Sequence, residues 1–359
     1  SAGNGTLKFG GNDGSTSFSG ALSNGGGQLL LVKQGTGTFT FAPSTTTYTG
    51  LTVSKGTVLA TNANGGAGPT VTLGDADTGA AAVAFLTTGN GAGRNITVSA
   101  SGTGTATIGS TTGAGGSNVV FSGTSTLNRA TTLTGASSDR TTWTGPITGN
   151  VGTLTIAGGN RIVFEGTSNT FTGNLAITGT NTILQTGVGS GTEHIPDGSS
   201  VDVGSGTILK LAGTAGSTET INALTGSGTV RRHEGVSGLQ TLIIGSANGG
   251  GTFSGTLQNG AGTLALTKNG SGTQILSGSN SYSGTTTVNA GTLKLGNMNA
   301  LGTWQGGRPV TQVVVNSGGA IDLNGTGDAT YGYTIAGTGV GATGALVNTG
   351  SGIGNNLAQ

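Results

Sequence analysis

The chain has 359 residues, of which 77 are Gly and 5 are Pro; 7% are charged, the formal net charge is +1, and Cys is absent. That balance argues against a disordered coil, which combines few apolar residues with high net charge. It also argues against nucleic acid or anionic lipid as partners, which need a basic stripe, and against disulfide or thiolate-metal staples. Thr, Ser, Asn and Gly stand where strong helix formers would be, so strands and turns are expected throughout.

Ser1-Ala2-Gly3-Asn4-Gly5 carries no basic and apolar signal segment, so a targeting segment has been removed or none is present. No apolar run approaches the roughly 18 residues of a spanning helix, and no direct membrane insertion of this segment is expected. A first repeat copy lies near 18–61, reading FSGALSNGGGQLLLVKQGTGTFTF and then TYTGLTVSKGTVLAT. The stretch 63–128, with GDADTGAAAVAFLTTGNGAG and SGTGTATIGSTTGAGG, departs from the pattern and is expected to form less regular coils. A looser copy follows near 143–185, starting at Trp143. The clearest copy, near 253–296, begins FSGTLQNGAGTLALTKNGSGTQIL, so Phe253 repeats Phe18 after 235 residues. Tyr48, Phe171 and Tyr282 take equivalent places in the three copies.

A smaller unit, Gly-Thr-apolar-x-apolar, recurs inside and between these copies, as at Gly56-Thr57-Val58, Gly206-Thr207-Ile208 and Gly291-Thr292-Leu293. Each is a short strand entered through glycine, whose alternation puts Leu293 and Leu295 on a dry face and Thr292 and Lys294 on a wet one. Strands this short cannot bury an apolar face alone. Stacked at ~4.8 Å in coils of about 20 to 25 residues, they would pile Leu on Leu and pair their backbones. The expected fold is all-β: a parallel β-helix, one continuous β-solenoid over 1–359, forming a single elongated rod. Asn-Gly pairs such as Asn24-Gly25 and Asn259-Gly260 would supply its corners.

The stretch from Gly278 to Leu295, GSNSYSGTTTVNAGTLKL, resembles the autotransporter-associated β-strand repeat, approximately G-x-N-x-Y-x-G-x-T-x-V-x-x-G-T-L-x-L, at every named position. The first copy is similar through Tyr48, Gly50, Val53, Gly56 and Thr57, with Val58 for Leu. The middle copy keeps Asn169, Phe171 and Gly173 and loses the Gly-Thr-Leu ending. The resemblance implies a right-handed β-helix serving as the passenger of an adhesin-like protein, secreted or at the bacterial outer surface. It implies no reaction. The C-terminal membrane barrel of such proteins is not supplied by the ending Gly354-Asn355-Asn356-Leu357-Ala358-Gln359.

Several groups invite chemistry. Asp75 and Asp77 in GDADTG are similar to part of a calcium loop but lack its further carboxylates, and a polar turn is expected. Glu193, His194 and Asp197, and separately Arg231, Arg232, His233 and Glu234, are the densest titratable clusters; exposed loop positions are expected for both. Gly339-Val340-Gly341-Ala342-Thr343-Gly344 matches G-x-G-x-x-G, with little weight in so glycine-rich a chain. Runs such as Thr45-Thr46-Thr47, Thr285-Thr286-Thr287 and Thr103-Gly104-Thr105-Ala106-Thr107 suggest an ice-binding face, but that needs the same Thr pair in every coil and the spacing drifts. Trp143 and Trp304 are expected in capping or packing roles rather than stacked on sugars. No catalytic, cofactor-binding or metal-ligating residue is assigned, and no cofactor. The expected function is a structural or adhesive surface solenoid, able to assemble end to end into a fibre. Its expected partners are other copies of itself, other surface proteins or glycans. The alternatives are a carbohydrate-active β-helix enzyme, such as a polysaccharide lyase or hydrolase, and a glycan- or ice-binding module.

Overall fold

The computed structural model describes residues 3–61, 69–89, 93–111, 118–135, 140–187, 193–302, 304–305, 308–309, 312–326 and 331–351. Both ends of the sequence, parts of the 63–128 stretch and the side chain of Trp304 lie outside the described residues. Two compact units are present, Ser1–Gly173 and Asn174–Gln359.

In the first unit a sheet takes one short strand from each coil: Gly5–Phe9, Leu29–Lys33, Gly50–Val53, Val71–Leu73, Ile96–Val98, Ser125–Leu127 and Ile147–Thr148. A second sheet is built the same way from Thr16–Phe18, Thr38–Phe41, Gly56–Ala60, Val83–Thr87, Ala106–Ser110, Thr131–Thr134 and Asn150–Ala157. Val119–Phe121, Arg140–Trp143 and Arg161–Phe164 form a third. The second unit repeats the plan, for example through Ser217–Ile221, Leu239–Ile244, Thr263–Lys268, Thr286–Val288, Gln312–Val315 and Gly332–Ile335. Among the described residues, every pairing between named strands is parallel except the hairpin of Trp304–Gln305 with Arg308–Pro309. Each unit is therefore a parallel β-solenoid. One coil advances the chain by 19 residues where Thr38 faces Thr57 and by 29 where Ile96 faces Ser125.

The alternation read in the sequence is what fills the interior. Leu51, Val71, Ile96, Ser125 and Ile147 stand in one register column and none is more than 2% exposed. Leu293 and Leu295 are fully buried, while Thr292 and Lys294 face outward. A stacked aliphatic column removes apolar area from water on both sides of each residue, so many small side chains stand in for a few large ones. The scarce aromatics are used inside: Trp143 stacks on Phe121 at 4.8 Å, and Tyr48, Phe171 and Tyr282 are all buried.

At the Gly-Thr entries Gly56 and Gly291 the glycine has a steric cause. Gly291 has φ 66, and a Cβ built there would lie 2.5 Å from the carbonyl oxygens of Gly270 and Gly272 in the coil beneath. Gly56 repeats this, with φ 72 and the Gly37 carbonyl at 2.5 Å. Only glycine takes that backbone conformation so close to a neighbouring coil.

Candidate functional site

The sequence-selected groups sort into structural roles. The Asp75 carboxylate accepts from the Asp77 backbone N–H at 3.0 Å and from Thr78 Oγ1 at 3.3 Å, and Ser54 Oγ donates to its second oxygen. That makes it a self-closed polar turn. Gly339–Gly344 forms a short 3₁₀ turn, Val340–Ala342, followed by the strand Leu346–Val347 rather than by a phosphate-binding helix.

Two expectations of exposure are corrected. His194 is only 2% exposed, because the fully buried Glu219 reaches it: Oε1 accepts the backbone N–H groups of His194 (3.2 Å) and Ile195 (2.7 Å), and Oε2 lies 3.5 Å from His194 Nδ1. Burial raises the Glu219 pKa against these hydrogen bonds, which pull it down. Arg232 is likewise fully buried, since its strand turns it inward. Its guanidinium donates to the Gly213 carbonyl (2.6 Å) and Gln240 Oε1 (2.7 Å). Asp197 and Glu234 do face solvent, and Glu234 pairs with Lys210 at 3.0 Å and Arg231 at 2.6 Å.

A more informative pair escaped the sequence reading. Lys33 stands in an inward column with Phe9, Val53 and Leu73, and Lys268 in one with Ile244, Val288 and Val315. Each ammonium is held by main-chain carbonyls at a coil corner. Lys33 Nζ donates to Gln34 (2.7 Å), Gly35 (2.7 Å) and Lys55 (3.3 Å), and Lys268 Nζ to Asn269 (2.6 Å), Gly270 (2.8 Å) and Ala290 (3.3 Å). The third acceptor of each belongs to the next coil, so the lysine ties two coils together from inside. Burial lowers both pKa values, that of Lys268 to about 8. The signal was present in the alternation, because Lys33 shares the parity of Leu31 and Lys268 that of Leu266.

Asn280 performs a related task one corner away. Its Oδ1 accepts the Leu257 backbone N–H at 2.7 Å and its Nδ2 donates to the Ala300 carbonyl at 2.6 Å. Asn169 does the same for the Ile147 N–H at 2.8 Å. The Asn and the aromatic two residues later are thus a coil staple and its packing partner.

A family model of the passenger-associated-transport repeat matches residues 31–60 and 266–295. Both caged lysines, Lys33 and Lys268, fall inside the matched spans. Each matched span runs from the strand carrying the lysine to the strand entered by Gly56 or Gly291, so the match comprises one corner and the coil closing over it. The chain is also 35% identical, over 102 residues or 28% of its length, to the adhesin BmaC autotransporter of Brucella suis biovar 1 (strain 1330), and spans 3% of that protein. No solved structure matches the chain.

The surface carries one further regularity. Thr52, Thr72, Thr97, Thr126 and Thr148 occupy a single outward register column on the first sheet of the first unit. Their spacing in sequence does drift, but turns of different length absorb the drift and the strands bring the five side chains into line. These are different threonines from the runs that the sequence singles out.

Proposed function

We propose that this chain is a structural and adhesive segment of a passenger displayed outside a bacterial cell, surface-bound or secreted, with no reaction of its own. The observation that carries the reading is the match of the passenger-associated-transport repeat to a lysine-caged corner in each of the two solenoid units, with similarity to an autotransporter adhesin in support. The inward-facing His194 and Arg232 also support it, because both are engaged in holding coils together. The test is to display the chain on cells through a heterologous outer-membrane anchor and measure retention on abiotic and host-type surfaces after washing. Retention no better than that of a non-adhesive solenoid of similar size would sink the reading. Cleavage of acidic polysaccharide, lost on replacing His194 or His233, would favour the enzyme alternative.

Fibre formation is the finer part of the proposal. Leu7 is 48% exposed at an apolar hollow of about 130 Å³ that it lines with Phe9, Phe18, Leu22 and Phe39. Leu242, 235 residues after Leu7, is fully buried because the strand Ser217–Ile221 pairs beneath it. A further coil, of the same chain or of a second copy, would cover Leu7 in the same manner. Static light scattering with negative-stain microscopy over rising concentration tests this, and short rods at every concentration would count against it.

A further inference from the structure

We propose that the lysine-caged corner of the second unit is a self-modifying site, where the Gly270 backbone nitrogen attacks the side-chain amide of Asn269 and converts it to an acid faster than at any other described Asn-Gly pair. Asparagine followed by glycine is the labile dipeptide for this reaction, because no side chain on the second residue hinders the nitrogen as it approaches the amide. The corner cannot escape that lability by exchanging its glycine. Gly270 has φ 64, and a Cβ there would lie 2.1 Å from the Gly245 carbonyl oxygen in the coil beneath.

The state of the nucleophile singles out this pair. Asn64-Gly65 and Asn90-Gly91 lie outside the described residues. At the other described pairs the glycine N–H is already engaged: Gly5 donates to the Gln28 carbonyl (2.8 Å), Gly25 to Ser23 Oγ (3.3 Å), Gly249 to Asn222 Oδ1 (2.8 Å), Gly260 to the Gly262 carbonyl (3.2 Å) and Gly325 to Asn348 Oδ1 (2.6 Å). The Gly270 N–H lies between strands and donates to no group among the described residues. The carbonyl oxygen of the same peptide unit, that of Asn269, receives the Lys268 ammonium at 2.6 Å. When the nitrogen loses its proton, negative charge spreads onto that oxygen, so the ammonium stabilises the attacking form. The group under attack is prepared as well. Asn289 Nδ2 donates to Asn269 Oδ1 at 2.8 Å, the oxygen on which charge gathers as the new bond forms.

Water is the co-reactant. Solvent hydroxide takes the Gly270 proton, the nitrogen bonds to Asn269 Cγ, and the Cγ–Nδ2 bond breaks, releasing ammonia and leaving a succinimide ring. Water then opens the ring at either carbonyl, giving aspartate or an isoaspartate whose main chain is one carbon longer. Both products place a new negative charge at the corner. Isoaspartate also displaces the Asn269 and Gly270 carbonyls, two of the three acceptors that hold Lys268, so the corner loosens as the chain ages. The first-unit cage has Gln34 at the matching place, with the Gln34 and Gly35 carbonyls each 2.7 Å from Lys33 Nζ. A glutamine must close a larger ring, and that corner is expected to persist.

The test is timed incubation of the full chain at neutral pH, with peptide mapping by mass spectrometry and an isoaspartate assay. Asn269 is expected to convert about tenfold faster than the asparagine of each other described pair, the spread that one engaged or released donor group gives. In chain unfolded by urea the corner is gone, and the same pairs are expected to convert at similar rates. Lys268→Met is expected to slow conversion of Asn269 about tenfold. A corner that had merely been loosened would instead react faster. Asn289→Ala, at an exposed position, is expected to slow it about threefold, and it keeps the test decisive where the Met variant does not fold. Conversion of Asn269 no faster than at the other described pairs in folded chain would overturn the proposal. So would a preference for Asn269 that persists in urea, or unchanged or faster conversion in either folded variant. The readout is chemical, so its failure leaves the passenger reading untouched.

Discussion

Replacing Lys268 by Met removes the ammonium and keeps the aliphatic stem in its column with Ile244, Val288 and Val315. Three carbonyls, those of Asn269, Gly270 and Ala290, then lose their donor. At about 1.5 kcal/mol for each hydrogen bond to a charged group, the loss is roughly 4.5 kcal/mol. Against it stands relief from holding a charge out of water. The fall of the Lys268 pKa from 10.5 to about 8 corresponds to ~3 kcal/mol, which screening at a corner close to solvent reduces to about 2. The net expectation is a destabilisation of about 2 to 3 kcal/mol. It should appear as a lower urea midpoint and as faster amide exchange in Thr263–Lys268 and Gly291–Leu295, the strands on either side of the cage. The same lysine predicts a pH dependence. Between about 8 and 10.5 the unfolded chain holds a proton that the folded one has released, so stability rises with pH across that window and is lowest below it, where both forms are charged. The gap between wild type and the Met variant should widen as pH goes from 8 to 10.5. A Met variant as stable as wild type at pH 7, or a gap that stays flat with pH, would refute the idea that the caged ammonium is a net tie between coils.

Three further outcomes follow from other corners. Asp322 accepts from Thr349 Oγ1 (2.6 Å) and Thr349 N–H (3.0 Å) and pairs with Lys294 at 3.0 Å; burial opposes ionisation, but these partners win and hold its pKa at about 2. Its contribution of ~2 kcal/mol is present in full above pH 4 and is lost as pH falls through 2, so acid titration of the urea midpoint should lose that step in Asp322→Asn. Gly291→Ala combines a left-handed backbone with a carbonyl clash and should cost about 3 kcal/mol or more, measured by denaturation, whereas alanine at the open Gly5 should be neutral within about 0.5 kcal/mol. Asn280→Ala leaves the Leu257 N–H and the Ala300 carbonyl buried without partners and should cost about 2 to 4 kcal/mol, with exchange rising first at Thr256–Gln258.

The coil was legible because its signal is local and repeated. Gly-Thr-apolar-x-apolar states both the entry glycine and the inward parity, and Leu293 and Leu295 lie where that parity puts them. Tyr48, Phe171 and Tyr282 are buried alike, as their equivalent spacing implied. Charge misled where parity would have served. Lys33, Lys268 and Arg232 occupy inward strand positions, but basic side chains are assumed to point to water unless partners are visible, and here the main partners are main-chain carbonyls, which a sequence does not display. His194 was hidden for a different reason: its partner Glu219 is 25 residues away, one coil on. The threonine column was illegible because coils of unequal length scramble its spacing along the chain. Only the parallel register restores it.

The lysine cage has a consequence for how such a chain can vary. Its acceptors are atoms that every residue possesses, so replacing Gln34, Lys55, Asn269 or Ala290 leaves the carbonyls in place. A buried cation and a few glycines therefore hold the corner, with little demand on the identity of neighbouring side chains. The outer surface is free to drift toward new ligands while the scaffold beneath it stays closed.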